Sequence, residues 1–195
     1  MTREWRPSRT QIAAAHGRRV PDVIAPGLDV VFCGVNPGLY SGAVGHHFAR
    51  PGNRFWPALA LAGFTHRVLS PFDERELLAA GLGITNLVGR ATATADELGA
   101  DELRRGARSL ARKLRRYRPR YVAFLGLVAY RTAFGAADAV VGPQTATIAG
   151  ARVWLLPNPS GLNAHYQVAD LGRAFGALRA ALETRPARRI EAGRT

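Results

Sequence analysis

The chain has 195 residues, of which 47% are hydrophobic, and its 27 Lys and Arg against 14 Asp and Glu give a formal charge of +13. This length suits one domain, no apolar run is long enough to span a membrane, and the N-terminus lacks the apolar region of a signal peptide. We therefore expect a monomeric cytoplasmic protein that makes no membrane contact, and an anionic partner, nucleic acid first.

Cys33 is the only cysteine and lies inside an apolar run. A single cysteine excludes an internal disulfide, an all-cysteine zinc site and a cysteine-ligated iron–sulfur cluster. The adjacent His46 and His47 are residue types that contact phosphate or metal, but nothing else in the sequence completes a metal site. The sequence therefore predicts no metal, no cofactor, and a buried hydrophobic role for Cys33.

The ends of the chain differ in character from its middle. Residues 1–26 form a basic arm, in which Ser8 and Gln11 have the spacing of a capping box for a helix through Ala15. Residues 27–184 form the main domain, and residues 185–195 form a basic tail that we expect to be disordered.

The first strong pattern is a buried strand that ends in a polar turn. Residues 30–35 are mostly apolar and β-branched, as in strands covered on both faces. Asn36, Pro37 and Gly38 follow, and proline restricts the preceding asparagine to an extended conformation. An amide side chain is thereby placed at the carboxyl end of a strand, where open α/β sheets bind ligands.

A second strand ends in the same way. Residues 152–157 are mostly apolar, and Asn158, Pro159, Ser160 and Gly161 follow. If both strands are parallel members of one sheet, Asn36 and Asn158 lie at the same edge. One such sequence alone is typical of an ordinary turn between two secondary-structure elements, whereas two such turns that converge in space indicate a functional site.

The remaining pattern predicts an α/β fold. Residues 84–88 and 121–126 are further strands, 145–148 are an edge strand, and helices lie between them, including one that starts at Ser70 and a very basic one near residues 103–117. Alternation at these spacings requires crossover connections. We predict three layers, with a four-stranded parallel sheet flanked by helices.

The sequence resembles the mismatch-specific uracil/thymine-DNA glycosylases, family 2 of the uracil-DNA glycosylase superfamily. The resemblance covers roughly residues 27–183 and rests on residues 34–39 (GVNPGL), 53–56 (NRFW) and 156–162 (LPNPSGL). It implies the superfamily's four-stranded sheet and excision of uracil, or thymine and modified pyrimidines, opposite guanine in double-stranded DNA with G·U or G·T mismatches.

The resemblance also implies roles for individual residues. Asn36 matches the residue that positions the attacking water, and Phe48 matches the aromatic that stacks on the flipped base. Asn158 matches a secondary catalytic position beside the sugar. The base pocket includes Val35 and Gly38, and Gly38 stands where strict uracil enzymes carry a bulky aromatic. The wedge that enters the DNA and contacts the widowed guanine matches Ser160, Gly161, Leu162 and Asn163.

Several points depart from this pattern or stay open. Tyr40 is bulkier than the resemblance predicts, and Ala164 stands where some members carry an arginine. Asp96 follows the second strand, where either a catalytic role or a helix cap fits. The only lysine, Lys113, lies in the basic helix, so we expect a monofunctional enzyme without lyase activity. The alternative function is a non-catalytic DNA-binding protein.

Overall fold

The computed structural model describes residues 5–161 and 165–184, within which helices and strands alternate. The strands are β1 (Val30–Gly34), β2 (Leu82–Asn86), β3 (Tyr121–Leu125), β4 (Gly142–Ile148) and β5 (Ala151–Leu156). The α-helices are α1 (Arg9–Ala13), α2 (Leu39–Val44), α3 (Phe55–Leu61), α4 (Ala100–Tyr117), α5 (Leu127–Phe134) and α6 (Val168–Glu183). Two 3₁₀ helices span Pro71–Ala80 and Ala95–Glu97.

The sheet has the order β2-β1-β3-β5-β4. The predicted α/β class and the four parallel strands are confirmed, because β2, β1, β3 and β5 pair in parallel. The sheet nevertheless has five strands rather than four. The predicted edge segment is β4, which pairs antiparallel with β5 across Ala149 and Gly150. Both turn residues have positive φ, 52° and 89°, as a tight hairpin whose twist matches its strands requires.

Helices cover both faces of the sheet. One apolar layer lies under α3 and α6 and includes Phe32, Phe55 and Phe175. The other lies under α4 and α5 and includes Cys33, as predicted, and Leu110. Every residue of β1 is buried, which is why its sequence is apolar without alternation.

The described part of the basic arm packs along the outer edge of the sheet. The Ser8–Gln11 capping box starts α1 as predicted. Val23 exchanges backbone hydrogen bonds with Ile84 of β2 at 2.9 and 2.7 Å. Asp22 accepts from Thr85 Oγ1 and pairs with Lys113 Nζ at 2.6 Å. The arm therefore covers the β2 edge, which would otherwise present unpaired backbone groups.

Two local predictions need correction. Residues 39–44, for which the sequence predicted no helix, form α2, because Gly38 in an extended conformation serves as its N-cap and Gly45 with φ 79° ends it. Strand β2 starts at Leu82 and ends at Asn86, two residues earlier than predicted at each end. Within the described ranges, the structure contains no helix with the length and apolar character needed to cross a membrane.

Candidate active site

A cleft of about 440 Å³ opens at the carboxyl ends of β1, β2 and β5. This is the edge at which parallel α/β sheets place ligands, and the volume is in the usual range for small-molecule sites. Most of the predicted site residues meet here, together with residues that were not predicted as part of a site. The lining includes Val35, Asn36, Gly38, His47, Phe48, Asn86, Thr92, Asp96, Asn158 and Ser160.

The side chain of Asn36 is fixed through its amide nitrogen. Nδ2 lies 3.1 Å from the carbonyl oxygen of Pro37, 3.0 Å from that of Arg90 and 2.7 Å from Thr92 Oγ1. Carbonyl oxygens only accept, and Thr92 Oγ1 donates its own proton to the Thr94 carbonyl at 2.7 Å, so all three groups require the amide NH₂. Asn36 Oδ1 accepts no hydrogen bond from the described residues and is available to a water.

Thr92 lies in the loop after β2 and is a site residue for which the sequence predicted no role. It is buried, and it bonds both to Asn36 and to the Thr94 carbonyl. Its own backbone N–H donates to Pro37 O at 3.1 Å. The loop is further fixed by Arg90, which donates to Glu102 at 2.6 and 2.8 Å, and this contact lowers the pKa of the Glu102 carboxyl. In the sequence, only the position of this loop after β2 could have indicated that Thr92 belongs to the site.

Asn158 is engaged through the opposite end of its amide. Its Oδ1 accepts from the backbone N–H of Ser160 at 3.0 Å, an Asx-type turn that shapes the residues after β5. Because the oxygen accepts within this turn, the turn fixes the orientation of the Asn158 amide, whose NH₂ is its donor end. The two predicted asparagines thus lie in one cleft with opposite hydrogen-bonding capacity.

Phe48 forms an aromatic wall of the cleft. Its backbone has φ 51°, an uncommon and strained conformation for a bulky residue, which is found most often at functional sites. Its ring packs on Phe55 with centroids 4.2 Å apart. A Cβ atom on Gly34 would lie 3.3 Å from this ring and 2.5 Å from Asn86 Oδ1, so only glycine fits below Phe48.

Asn86 is a site residue that the sequence did not indicate, and His47 was considered there only as a residue type that contacts phosphate or metal. His47 Nε2 lies 2.9 Å from the Pro21 carbonyl oxygen and must donate to it, so Nδ1 of a neutral ring accepts from Asn86 Nδ2 at 3.3 Å. Burial lowers the pKa of His47 and favours this neutral ring. Asn86 Oδ1 is then the end of the amide that lies beside Gly34, and Asn86 lines the cleft. One signal could have indicated Asn86: it is a polar residue at the end of an apolar strand, at the same edge of the sheet as Asn36.

The space beside Gly38 is open. A Cβ atom there would have nothing within 4 Å, and Gly38 lines the cleft. Tyr40, whose size conflicted with the resemblance, lies in α2 and is not among the described residues that line the cleft.

Asp96 lies on the rim of the cleft. It is exposed, in the short 3₁₀ helix Ala95–Glu97, and makes no hydrogen bond within the described residues. It is not a helix cap, because Thr94 and Glu97 form the capping box of that helix and Gly99 is the N-cap of α4. Asp96 therefore has no structural task among these elements, and a role toward a ligand stays a prediction.

The predicted wedge is described only at its base. Ser160 lines the cleft, and Gly161 packs so closely on Gly52 that a Cβ would lie 2.6 Å from its carbonyl oxygen. Arg54 donates to Gly161 O at 3.5 Å and to Tyr166 O at 2.7 Å, and so contacts both flanks of the segment. The wedge residues Leu162 and Asn163, like Ala164 and the tail 185–195, lie outside the described residues, and their roles stay predictions.

Neither a metal cluster nor a lysine is part of the cleft. In the part of the chain that the structure describes, no three His, Cys, Asp or Glu side chains come together as a metal site would require. Lys113 pairs with Asp22 and donates to Thr85 Oγ1 at 3.0 Å, so its amine lies at the β2 edge under the arm.

A three-layer α/β sheet with a polar, aromatic-walled cleft at its carboxyl edge is typical of the class of α/β proteins that bind a ligand at the strand ends. A comparison with protein-family models identifies the group within this class: the model described as the uracil DNA glycosylase superfamily matches residues 21–182. The chain therefore belongs to the uracil DNA glycosylase superfamily. Membership implies a glycosylase that hydrolyses a base–sugar bond in DNA, the activity of base excision repair.

Proposed function

We propose that this protein is a monofunctional, mismatch-specific glycosylase of the family 2 type. It removes uracil, and thymine or modified pyrimidines, opposite guanine in double-stranded DNA. The observation that carries this proposal is the orientation of Asn36. Three acceptors fix its NH₂, which leaves Oδ1 as a rigid acceptor for one water at the cleft.

The cleft suits a pyrimidine that has left the helix. Extruding a base costs about a few kcal/mol, least at a mismatch, so part of the preference for G·U and G·T comes from the DNA. The Phe48 ring offers a stacking surface. Asn86 Oδ1 offers an acceptor for the N3–H that uracil and thymine share and that cytosine lacks. The open space beside Gly38 accommodates a 5-substituent.

Bond cleavage needs little proton transfer from the protein. The bond between the sugar C1′ and the base nitrogen breaks, the base leaves with the electron pair, and positive charge develops on the sugar. The water that Asn36 Oδ1 orients then forms the new C1′–O bond and loses its proton to solvent. A neutral amide is a poor proton acceptor, so Asn36 positions water rather than acting as a strong base, and turnover is slow.

The position of Lys113 supports a hydrolase without lyase activity. A lyase needs an amine that forms a Schiff base with the sugar, whereas this amine is bound by Asp22 and Thr85 away from the cleft.

Asn158 donates to the sugar or base from the β5 side. Asp96 on the rim assists in orienting water or sugar.

The test is incubation with an end-labelled G·U duplex, with an A·U duplex, a G·C duplex and single-stranded uracil DNA for comparison. We expect free uracil and a strand that breaks only after alkali, and no adduct on borohydride treatment. A strand that stays intact after alkali would contradict the glycosylase assignment and favour a non-catalytic DNA-binding protein. Equal excision of uracil paired with adenine would contradict the mismatch preference.

A further inference from the structure

Helix α4 carries a continuous ridge of arginines on its outer face. The helix buries one side, formed by Leu103, Ala107, Leu110 and Leu114. Positions 105, 108, 112 and 116 lie opposite that side at spacings of three and four residues. We call the following five exposed residues the α4 ridge: Arg105, Arg108, Arg112, Arg115 and Arg116.

Two other cations of helix α4 differ from the ridge residues, because each of them is paired with an acid. Arg104 pairs with Asp101 at 2.8 Å and Lys113 with Asp22 at 2.6 Å on the same helix. Within residues 5–161 and 165–184, none of the five ridge residues forms an ion pair. The neighbouring acid Glu102 is bonded to Arg90 by both of its oxygens.

Helix stability does not account for the ridge. Arg115 and Arg116 lie in the last turn, where cations favour the helix dipole. Arg105, Arg108 and Arg112 lie in the middle, where like charges three and four residues apart destabilise a helix. A bound polyanion would remove this repulsion, and arginine suits phosphate because its guanidinium donates two parallel hydrogen bonds.

The ridge does not face the same way as the cleft. Helix α4 begins after the β2 loop at the carboxyl edge and returns to the start of β3 at the amino edge. The ridge therefore runs roughly 16 Å along the flank of the sheet, away from the cleft. A straight duplex placed across the carboxyl edge cannot also lie along this flank.

We propose that the α4 ridge binds the phosphate backbone of a second duplex DNA segment, without sequence preference, while the cleft engages the first. Binding of the first DNA segment at the cleft rests on the proposed function. The second contact would let the protein pass between DNA segments without full dissociation, a behaviour that backbone-only binding supports.

The test compares two variants with equal loss of charge. In the ridge variant, Arg105, Arg108, Arg112 and Arg116 become Gln. In the control variant, four exposed arginines of the opposite layer become Gln: Arg67, Arg75, Arg173 and Arg179. Affinity for an undamaged duplex is measured by fluorescence anisotropy across KCl concentrations. A Lys version of the ridge variant, with melting temperatures for all, checks that charge rather than folding causes the change.

We expect the ridge variant to reduce the slope of log K against log salt by about two to four, since each phosphate contact contributes about 0.9. The control and the Lys version should stay within about one unit of wild type on the same scale. Equal slopes for the ridge and control variants would overturn the proposal, because net charge alone would then explain binding.

Energy transfer between two differently labelled duplexes tests the second segment directly. Wild type and the control variant should bring the duplexes together at low salt, and the ridge variant should not. A reduced slope with no energy transfer in wild type would also overturn the proposal, because the ridge would then contact the same duplex as the cleft. Failure of wild type to excise uracil would contradict the proposed function alone, since these assays use undamaged DNA.

Discussion

The two turns that follow β1 and β5 look alike in sequence and differ in chemistry. Asn36 and Asn158 each end an apolar parallel strand and precede a proline. Asn36 is held by its nitrogen, through Pro37 O, Arg90 O and Thr92 Oγ1. Asn158 is held by its oxygen, through the backbone N–H of Ser160.

This difference shows that the surrounding acceptors and donors, and not the motif, decide what an amide can do. In the proposed function, Asn36 offers an acceptor to water, and Asn158 offers donors to the sugar or base. A hydrolytic site needs both capacities on opposite sides of the bond that breaks. The two turns therefore have complementary roles, and the following variants separate them.

The largest effect is expected from removing the amide of the first turn. Asn36→Ala should slow single-turnover excision from a G·U duplex about 10²- to 10⁴-fold, because the water loses its oriented acceptor. DNA affinity and melting temperature should change little. Asn158→Ala is the matched control in the second turn, and its smaller loss should respond to the identity of the base. Equal losses in both variants would remove the distinction between the turns.

The second largest effect is expected from a change at the third residue of the first turn, where the two turns also differ. Gly38 has open space beside it, whereas Ser160 is tied to Asn158. Gly38→Tyr should fill the space near the pyrimidine C5 and lower thymine excision relative to uracil about 10- to 200-fold, the range for one methyl group in a tight pocket. Parallel rates on G·T and G·U duplexes measure this ratio. An unchanged ratio would show that the 5-substituent lies elsewhere.

Changing Thr92, which holds the Asn36 amide, should slow excision less than changing Asn36 itself. Thr92→Val keeps the shape but removes one of the three acceptors of the Asn36 NH₂ and the hydrogen bond from Thr92 Oγ1 to the Thr94 carbonyl. The amide is then less fixed, and the two lost hydrogen bonds cost about 1–3 kcal/mol. We expect excision to slow about 10- to 100-fold in single turnovers. Thr92→Ser should restore most of the rate. A slow Ser variant would indicate that the methyl group, and not the hydroxyl, is important.

The smallest effect concerns the third amide, Asn86, and its partner His47. Burial lowers the pKa of His47 in the folded protein below its ordinary value of 6.5, so the unfolded chain binds the proton more readily. Stability from the neutral ring is complete above about pH 6.5 and is lost as pH falls below it, at most about 1.4 kcal/mol per pH unit. Urea unfolding between pH 7.5 and 5.5 should show a smaller loss for His47→Gln than for wild type. Parallel curves would contradict this account.

The sequence predicted the fold where burial leaves a strong pattern. The fully buried β1 and the one-sided apolar stripe of α4 are visible as composition and periodicity. Helix α2 is not, because its six residues include Gly42 and lack an apolar stripe, and its start depends on a glycine N-cap. The fifth strand was recognised as an edge segment, but its pairing partner depends on the hairpin at Ala149 and Gly150.

The candidate site was predicted where residues follow a strand directly. Asn36 and Asn158 were found for that reason, whereas Asn86 was placed inside a strand that in fact ends at it. The end by which each amide is bound, oxygen or nitrogen, could not be predicted, because for Asn36 it depends on carbonyl groups and a threonine that include residues distant in sequence. The same applies to His47, whose tautomer is set by Pro21 in the arm.

The central claim is that Asn36 Oδ1 positions the attacking water, and a high-resolution crystal structure tests it most directly. The crystal should contain the protein with a G·U duplex whose uridine carries a non-hydrolysable base–sugar bond. We predict one ordered water within about 2.6–3.2 Å of Asn36 Oδ1, on the face of C1′ opposite the uracil. A water held there by Asp96 instead, or an Asn36 amide turned with its NH₂ into the cleft, would contradict the account.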